Sequence, residues 1–253
     1  MTGSKYPMLT PHHREPNRAA ICALAIMAKA PRPGKVKTRL KPPLTAEQAA
    51  ALNVCFLRDT AENIATLAND SSAQGLVCYT PVGDEAAFDD LLPNGFALIP
   101  QRGDGFGERL LYAAEDILSC GFGAVCLIDS DSPTLPATAL RDAVDALNKP
   151  GERVVLGPSD DGGYYLIGLK TPEPRLFQHI TWSTPSVYAE TVERAREAGT
   201  SLLELPKWYD VDDAPTLATL ERELLLNQRP QFAQVNGFPA HWTKQFLAER
   251  AAR

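Results

Sequence analysis

Lys29-Ala-Pro-Arg-Pro-Gly-Lys-Val-Lys-Thr-Arg-Leu-Lys41, set directly behind the apolar run Ile21-Cys-Ala-Leu-Ala-Ile-Met27, decides how this chain is read. The thirteen residues hold six of the 25 Lys and Arg and no acid, leaving 19 cations to set against 31 Asp and Glu. Positive charge gathered locally on an acidic body points to a specific anion rather than to nucleic acid or an anionic membrane. Pro31, Pro33 and Gly34 keep either neighbouring element from running through the loop and let its backbone approach a ligand. A strand that ends in such a loop and leads into a helix is how α/β proteins hold phosphates.

Outward from this loop, the chain alternates. Strand-like runs fall at 20–28, 75–79, 96–99, 123–128, 153–156, 164–168 and 201–205. Between them lie helical patterns at about 45–67, 107–118, 137–148, 183–199 and 214–226. Thr45-Ala-Glu-Gln48 is a capping-box start, Ser183-Thr184-Pro185 a hydroxyl cap with proline in the first turn, and Asp213 caps the helix behind it. This alternation predicts an α/β fold with a mostly parallel sheet covered on both faces, binding its ligand at the carboxyl ends of the strands. Residues 1–18 read as a flexible polar leader, 19–227 as the domain and 228–253 as an extension ending in a short helix. Phe232, Phe238, Trp242 and Phe246 in that extension suit packing on the same chain or on a second copy in a homodimer.

Composition narrows the function. A net charge of −6 with no extended basic face disfavours a general nucleic-acid binder. No apolar run reaches spanning length and residues 1–18 have no secretory apolar core, so the chain reads as cytoplasmic and not membrane-bound. The five cysteines show no CxxC spacing and suit buried free thiols; the four histidines show no ligand spacing.

Three charged segments fall just behind predicted strands and so share one edge of the sheet: the basic loop, Asp129-Ser-Asp131 and Asp210-Val-Asp212. Paired carboxylates at strand ends supply the hard oxygens that Mg²⁺ or Mn²⁺ takes together with substrate phosphates. With Asp213 engaged as a cap, Asp210 and Asp212 remain as ligand candidates beside Asp129 and Asp131. Gln101-Arg-Gly-Asp-Gly-Phe-Gly107 opens a helix, and the Gln101 amide, both donor and acceptor, suits a nucleobase edge. Gly157-Pro-Ser-Asp-Asp-Gly-Gly-Tyr-Tyr165 is a glycine-containing turn joining two strands of the sheet, in which Asp160 or Asp161 could accept a proton from a hydroxyl, a reading preferred to a plain Asp-Gly hairpin. Trp182-Ser-Thr reads either as a helix cap with an aromatic anchor or as part of a site.

KAPRPGKVKTRL, QRGDGFGERL, IDSDSPTL, GPSDDGGYYLIGL, WST and DVDD stand in the order seen in a bacterial family of GT-A-like transferases, which this chain resembles over about residues 20–225. The family is labelled glycosyltransferase or nucleotide-diphospho-sugar transferase and accompanies radical-SAM, selenium or arsenosugar gene sets. The basic loop is also similar to that of guanylyltransferases acting on phospholactate-type acids and, more distantly, of molybdenum-cofactor nucleotidyltransferases. The resemblance implies a GT-A, Rossmann-like three-layer α/β/α sandwich with Mg²⁺ or Mn²⁺ on Asp131 and Asp212. It implies Lys29, Lys37 and Arg39 along the donor phosphates, with Ala28, Gly34, Lys35, Thr38 and Asp129 around the nucleotide and Gln101 and Gly103 at its base. The acceptor falls to Asp160, Asp161, Gly162, Gly163, Tyr164 and Trp182, and Lys29, Lys37, Arg39 and Asp161 are the catalytic set. Donor and acceptor are then a nucleoside triphosphate or nucleotide-sugar and a small molecule. Six cations exceed what a diphosphate–metal complex requires. That favours nucleotidyl transfer from a triphosphate to a phosphorylated or acidic acceptor over glycosyl transfer from a nucleotide-sugar.

Overall fold

The computed structural model describes residues 4–68 and 72–252. Seven strands, β1 (Cys22–Lys29), β2 (Ala73–Thr80), β3 (Ala97–Pro100), β4 (Ala124–Ile128), β5 (Arg153–Pro158), β6 (Tyr164–Leu169) and β7 (Ser201–Glu204), form one sheet in the order β3-β2-β1-β4-β6-β5-β7. β6 runs antiparallel to both β4 and β5, whereas the β1–β2, β1–β4, β2–β3 and β5–β7 pairs are parallel. The helices are α1 (Ala46–Ala68), α2 (Phe106–Ser119), α3 (Ala137–Asn148), α4 (Val187–Glu197), α5 (Ala214–Leu226) and α6 (His241–Ala251).

Alternation along β1 sorts the layers. Leu24 and Ile26 join a core with Leu52 and Phe56 of α1, Leu140 and Val144 of α3, Leu217 and Leu220 of α5 and Leu247 of α6. Ala23 and Ala25 face the other way, into a core with Leu110, Ala114 and Ile117 of α2 and Ala195 of α4. A strand covered on both faces must be apolar throughout, which is why the run before the basic loop shows no polar alternation. The result is the expected mostly parallel α/β/α sandwich. No helix among the described residues is long and apolar enough to cross a membrane.

After β3 the chain returns to lay β4 on the other side of β1, so the order reverses between β1 and β4. Crevices at such reversals, beyond the carboxyl ends of the strands, are where open α/β sheets bind ligands. Lys29 ends β1 and Asp129 follows β4 at this point.

Local signals hold at several ends. Thr45 and Gln48 make the capping box, Thr45 N to Gln48 Oε1 at 2.9 Å and Gln48 N to Thr45 Oγ1 at 3.2 Å. Asp213 accepts from Thr216 N at 2.9 Å. One start is corrected: α4 opens at Val187, not at Ser183. Ser183 has φ +63°, a left-handed conformation that cannot belong to a helix, and Thr184 Oγ1 donates to Thr181 O at 2.6 Å in a separate turn.

Both ends of the described chain lie on the domain. Met8 bridges Leu98 beside β3, and the Tyr6 hydroxyl donates to Leu92 O at 2.7 Å. Positions 1–3 and 253 of the two terminal segments fall outside the described residues. At the other end the Asp59 carboxylate accepts from Trp242 N at 3.0 Å and Thr243 N at 2.8 Å, fastening α6 to α1. Phe232 packs edge-on against Trp208 and Tyr209, so this tail aromatic is engaged within its own chain.

Candidate active site

The basic loop folds back on itself behind β1. Lys35 N donates to Arg32 O at 3.0 Å, Gly34 takes φ +73°, and Thr38–Leu40 form a 3-10 turn entered through Lys37 at φ +47°. The left-handed Lys37 turns its side chain inward, where it is 4% exposed. Its ammonium donates to Asp131 Oδ1 at 2.8 Å, Asp212 Oδ1 at 2.9 Å and Val211 O at 2.7 Å, over the Phe56 ring at 5.4 Å. Burial lowers the Lys37 pKa, but the two carboxylates outweigh it and hold the group above the ordinary lysine value, so it stays charged.

The six loop cations therefore do different things. Arg32 pairs with Asp84, Lys41 lies outside the cleft, and Lys37 is neutralised from within the protein. Lys29, Lys35 and Arg39 remain to face a ligand, lining with Thr38, Asn53 and Ser130 a cavity of about 270 Å³. Four of the six loop cations line the cleft and one of these is paired with carboxylates, so fewer charges face a ligand than the count along the sequence suggests.

The acidic loops are held from several sides. Val211 N donates to Asp131 O at 2.9 Å, joining them by backbone. Asp129 accepts from Asp131 N at 3.2 Å and Ser132 Oγ at 2.8 Å; burial first, then Asp131 and Asp210, push its pKa well above the carboxylate range. Asp210 accepts from Ser159 Oγ at 2.8 Å and is pushed up to about 6, by burial and then by Asp161. A carboxyl whose folded value lies above its unfolded one favours the fold less as pH rises from 3.8 through about 6. Beneath the loops, Glu223 Oε2 accepts from Tyr209 Oη at 2.5 Å and Thr134 Oγ1 at 2.9 Å, tying the residues behind both loops to α5.

A second cavity, about 540 Å³, adjoins the first and shares Arg39, Asp131 and Asp212 with it. One wall is aromatic: Phe106 lies edge-on to Trp182 at 5.2 Å between ring centres, and Tyr164 to Trp182 at 6.5 Å. Asp129, Asp161, Gly163, Ser159 and Asp210 form the polar side. Gly107 is needed for this wall, because a Cβ there would stand 2.6 Å from Trp182 Nε1. Gly162, at φ +92°, is likewise needed for packing, since a Cβ there would meet Pro185 O at 2.2 Å. The turn's glycine thus admits another turn of the protein rather than a ligand.

The structure brings together Lys29, Lys35, Lys37, Thr38, Arg39, Asp129, Asp131, Asp161, Gly163, Tyr164, Trp182 and Asp212 along one cleft. It sets others apart. Gln101 Nε2 donates to Cys78 O at 2.7 Å and Ala28 O at 3.4 Å, binding strand ends together, and Ala28 is 1% exposed. Gly103, at φ +103°, packs against Glu108 and Tyr112. Gly34, Asp160 and Gly162 line neither cavity. Sequence reasoning missed Asn53, Phe106, Ser159 and Glu223. Asn53 Oδ1 is buried beside the basic loop's cavity without a hydrogen-bond partner among the described residues; a polar residue between the core positions Leu52 and Phe56 was the available signal.

Asp131, Asp212 and the Val211 carbonyl suit a divalent ion, because these hard oxygens already converge on one positive charge, the Lys37 ammonium. No group of three or more His, Cys, Asp or Glu side chains frames a metal position among the described residues. The pair therefore fits an ion that completes its shell with water and donor phosphates.

Residues 63–184 match the family described as "Uncharacterized protein conserved in bacteria (DUF2064)", a span holding Asp129, Asp131, the Asp161 turn and Trp182. A crystal structure from Desulfovibrio desulfuricans G20, provisionally named a nucleotide-diphospho-sugar transferase, is 32% identical, with 91% of this chain and 95% of that one covered at a TM-score of 0.76. The chain belongs to the DUF2064 family. The fold of this DUF2064 protein is of the GT-A nucleotide-sugar transferase type. It is also similar to that of CMP:2-keto-3-deoxy-manno-octonic acid synthetase complexed with CTP, at 13% identity and a TM-score of 0.52 over 82% of this chain and 100% of that one. No curated protein matches the DUF2064 chain in sequence.

Proposed function

We propose that this protein is a divalent-metal-dependent transferase that moves a sugar from a nucleotide-diphospho-sugar to a small, uncharged hydroxyl-bearing acceptor. The observation that carries this is the two-lobed cleft, basic on one side and aromatic and acidic on the other, meeting at Arg39, Asp131 and Asp212. Lys29, Lys35 and Arg39 would take the donor diphosphate, and Asp131 and Asp212 the metal. That ion, when bound, supplies charge neutralisation of the leaving diphosphate. Arg39 is the one cation lining the acceptor lobe, and it is shared with the donor side, so the lobe has little with which to hold a phosphorylated or carboxylate acceptor. Phe106, Trp182 and Tyr164 offer the flat apolar surface that a ring's C–H face covers. Asp161, whose Oδ1 accepts from Gly163 N at 2.8 Å, would take the proton from an acceptor hydroxyl. The relative from Desulfovibrio desulfuricans supports a nucleotide-utilising transferase by its name.

Nucleotidyl transfer is the second reading, since Lys29, Lys35 and Arg39, joined by Lys37 once it is released, would hold a triphosphate in the same cavity. Incubation with Mn²⁺, an acceptor panel and either nucleotide-sugars or nucleoside triphosphates separates the two. Release of nucleoside diphosphate from a nucleotide-sugar is the expected result; release of pyrophosphate from a triphosphate would replace glycosyl by nucleotidyl transfer.

A further inference from the structure

The Lys37 ammonium stands where the resemblance calls for a metal ion. All three of its N–H groups are donated, to Asp131 Oδ1, Asp212 Oδ1 and Val211 O, at 2.7–2.9 Å. These acceptors are hard oxygens, the donor type that Mg²⁺ takes at roughly 2.0–2.1 Å. An ammonium and a divalent ion cannot share that point: the oxygens are the same, and the charges repel. The backbone commits Lys37 to this place, with a left-handed φ of +47° and a buried side chain above the Phe56 ring.

We infer that Lys37 is the resident cation of the Asp131–Asp212 pair and that a divalent metal binds there only by displacing it. In the ligand-free protein the lysine keeps two neighbouring carboxylates from repelling each other, and so keeps their loops closed. Metal loading frees the ammonium within the basic lobe, whose cavity Lys37 also lines with Lys29 and Arg39, and a free cation there attracts donor phosphate. Metal and donor are thus coupled through one side chain: the metal alone must pay for displacing the lysine, and the donor phosphate gives the lysine a new partner. The inference rests on the reading of the pair as the metal site, but not on which group is transferred.

Two measurements test it. Mn²⁺ binding without nucleotide, followed by the electron-paramagnetic signal of the free ion, should tighten about tenfold in Lys37→Met, within the roughly 5- to 150-fold range of ordinary coupling between two binding events. In the same variant, nucleoside diphosphate in saturating Mn²⁺ should bind more weakly than in the unmodified protein. Unchanged or weaker Mn²⁺ binding in Lys37→Met would overturn the inference. Should the variant not fold, acylation of the unmodified protein decides, read at Lys37 by peptide mass spectrometry. Labelling is expected to be slow without metal and at least several-fold faster with Mn²⁺; no change with Mn²⁺ also overturns it. A protein that ignores nucleotide-sugars but passes the Mn²⁺ tests would sink the proposed reaction and leave the lysine displacement standing.

Discussion

The basic and aromatic lobes of the cleft were built in opposite ways. Lys29, Lys35, Lys37, Thr38 and Arg39 reach the first lobe from one loop of consecutive residues, joined there by Asn53, Ser130 and the shared acids. The second gathers Phe106, Asp161, Trp182 and Asp210 from four separate segments. The first can be read as a charge pattern along the chain. The second exists only after β6 turns back between β4 and β5 and the Gly162 turn packs against Pro185. Their difference in chemistry, cations against carboxylates and rings, is what separates donor from acceptor in the proposed reaction.

Substitutions can break this contrast, beginning where the lobes meet. Asp131→Ala is expected to lower metal-dependent turnover by about 100- to 1,000-fold, the scale of losing one preorganised charge-stabilising group, with an unchanged circular-dichroism spectrum. Retained turnover would remove Asp131 from the metal site. Arg39→Ala should weaken a nucleoside diphosphate by about 10- to 100-fold while barely affecting the nucleoside, since a hydrogen bond to a charged group is worth roughly 1.5–3 kcal/mol. Equal losses for both in calorimetry would make Arg39 structural. Trp182→Ala should raise the acceptor KM by about 3- to 10-fold with donor affinity within twofold, on the scale of one aromatic contact. A matching loss of donor affinity would mean that the lobes are one site rather than two.

How far the sequence could be read depended on whether the cause was local. The Thr45–Gln48 box and the Asp213 cap are satisfied within a few residues, and both stand as read. Ser183 has the same cap-like signature, yet it sits in a left-handed bend, with Pro185 lying against the Gly162 turn, and α4 starts later. Gln101 illustrates the same limit at the site. Its donor and acceptor suit a base edge, but the neighbouring strand ends claim the amide first. Glu223 carried no signal at all, because one acid on an amphipathic helix looks solvated until Tyr209 and Thr134 are found against it.

By itself the sequence determined the alternation of strands and helices, the doubly covered β1 and the placement of three charged loops at one sheet edge. Each of these follows from periodicity, capping and chain stiffness, which act over a few residues. Only the tertiary structure decided which charges remain free. Lys37 and Asp212 lie 175 residues apart in the chain and 2.9 Å apart in space. Electrostatic pairing depends on that second distance and on burial, neither of which is written in the order of the residues.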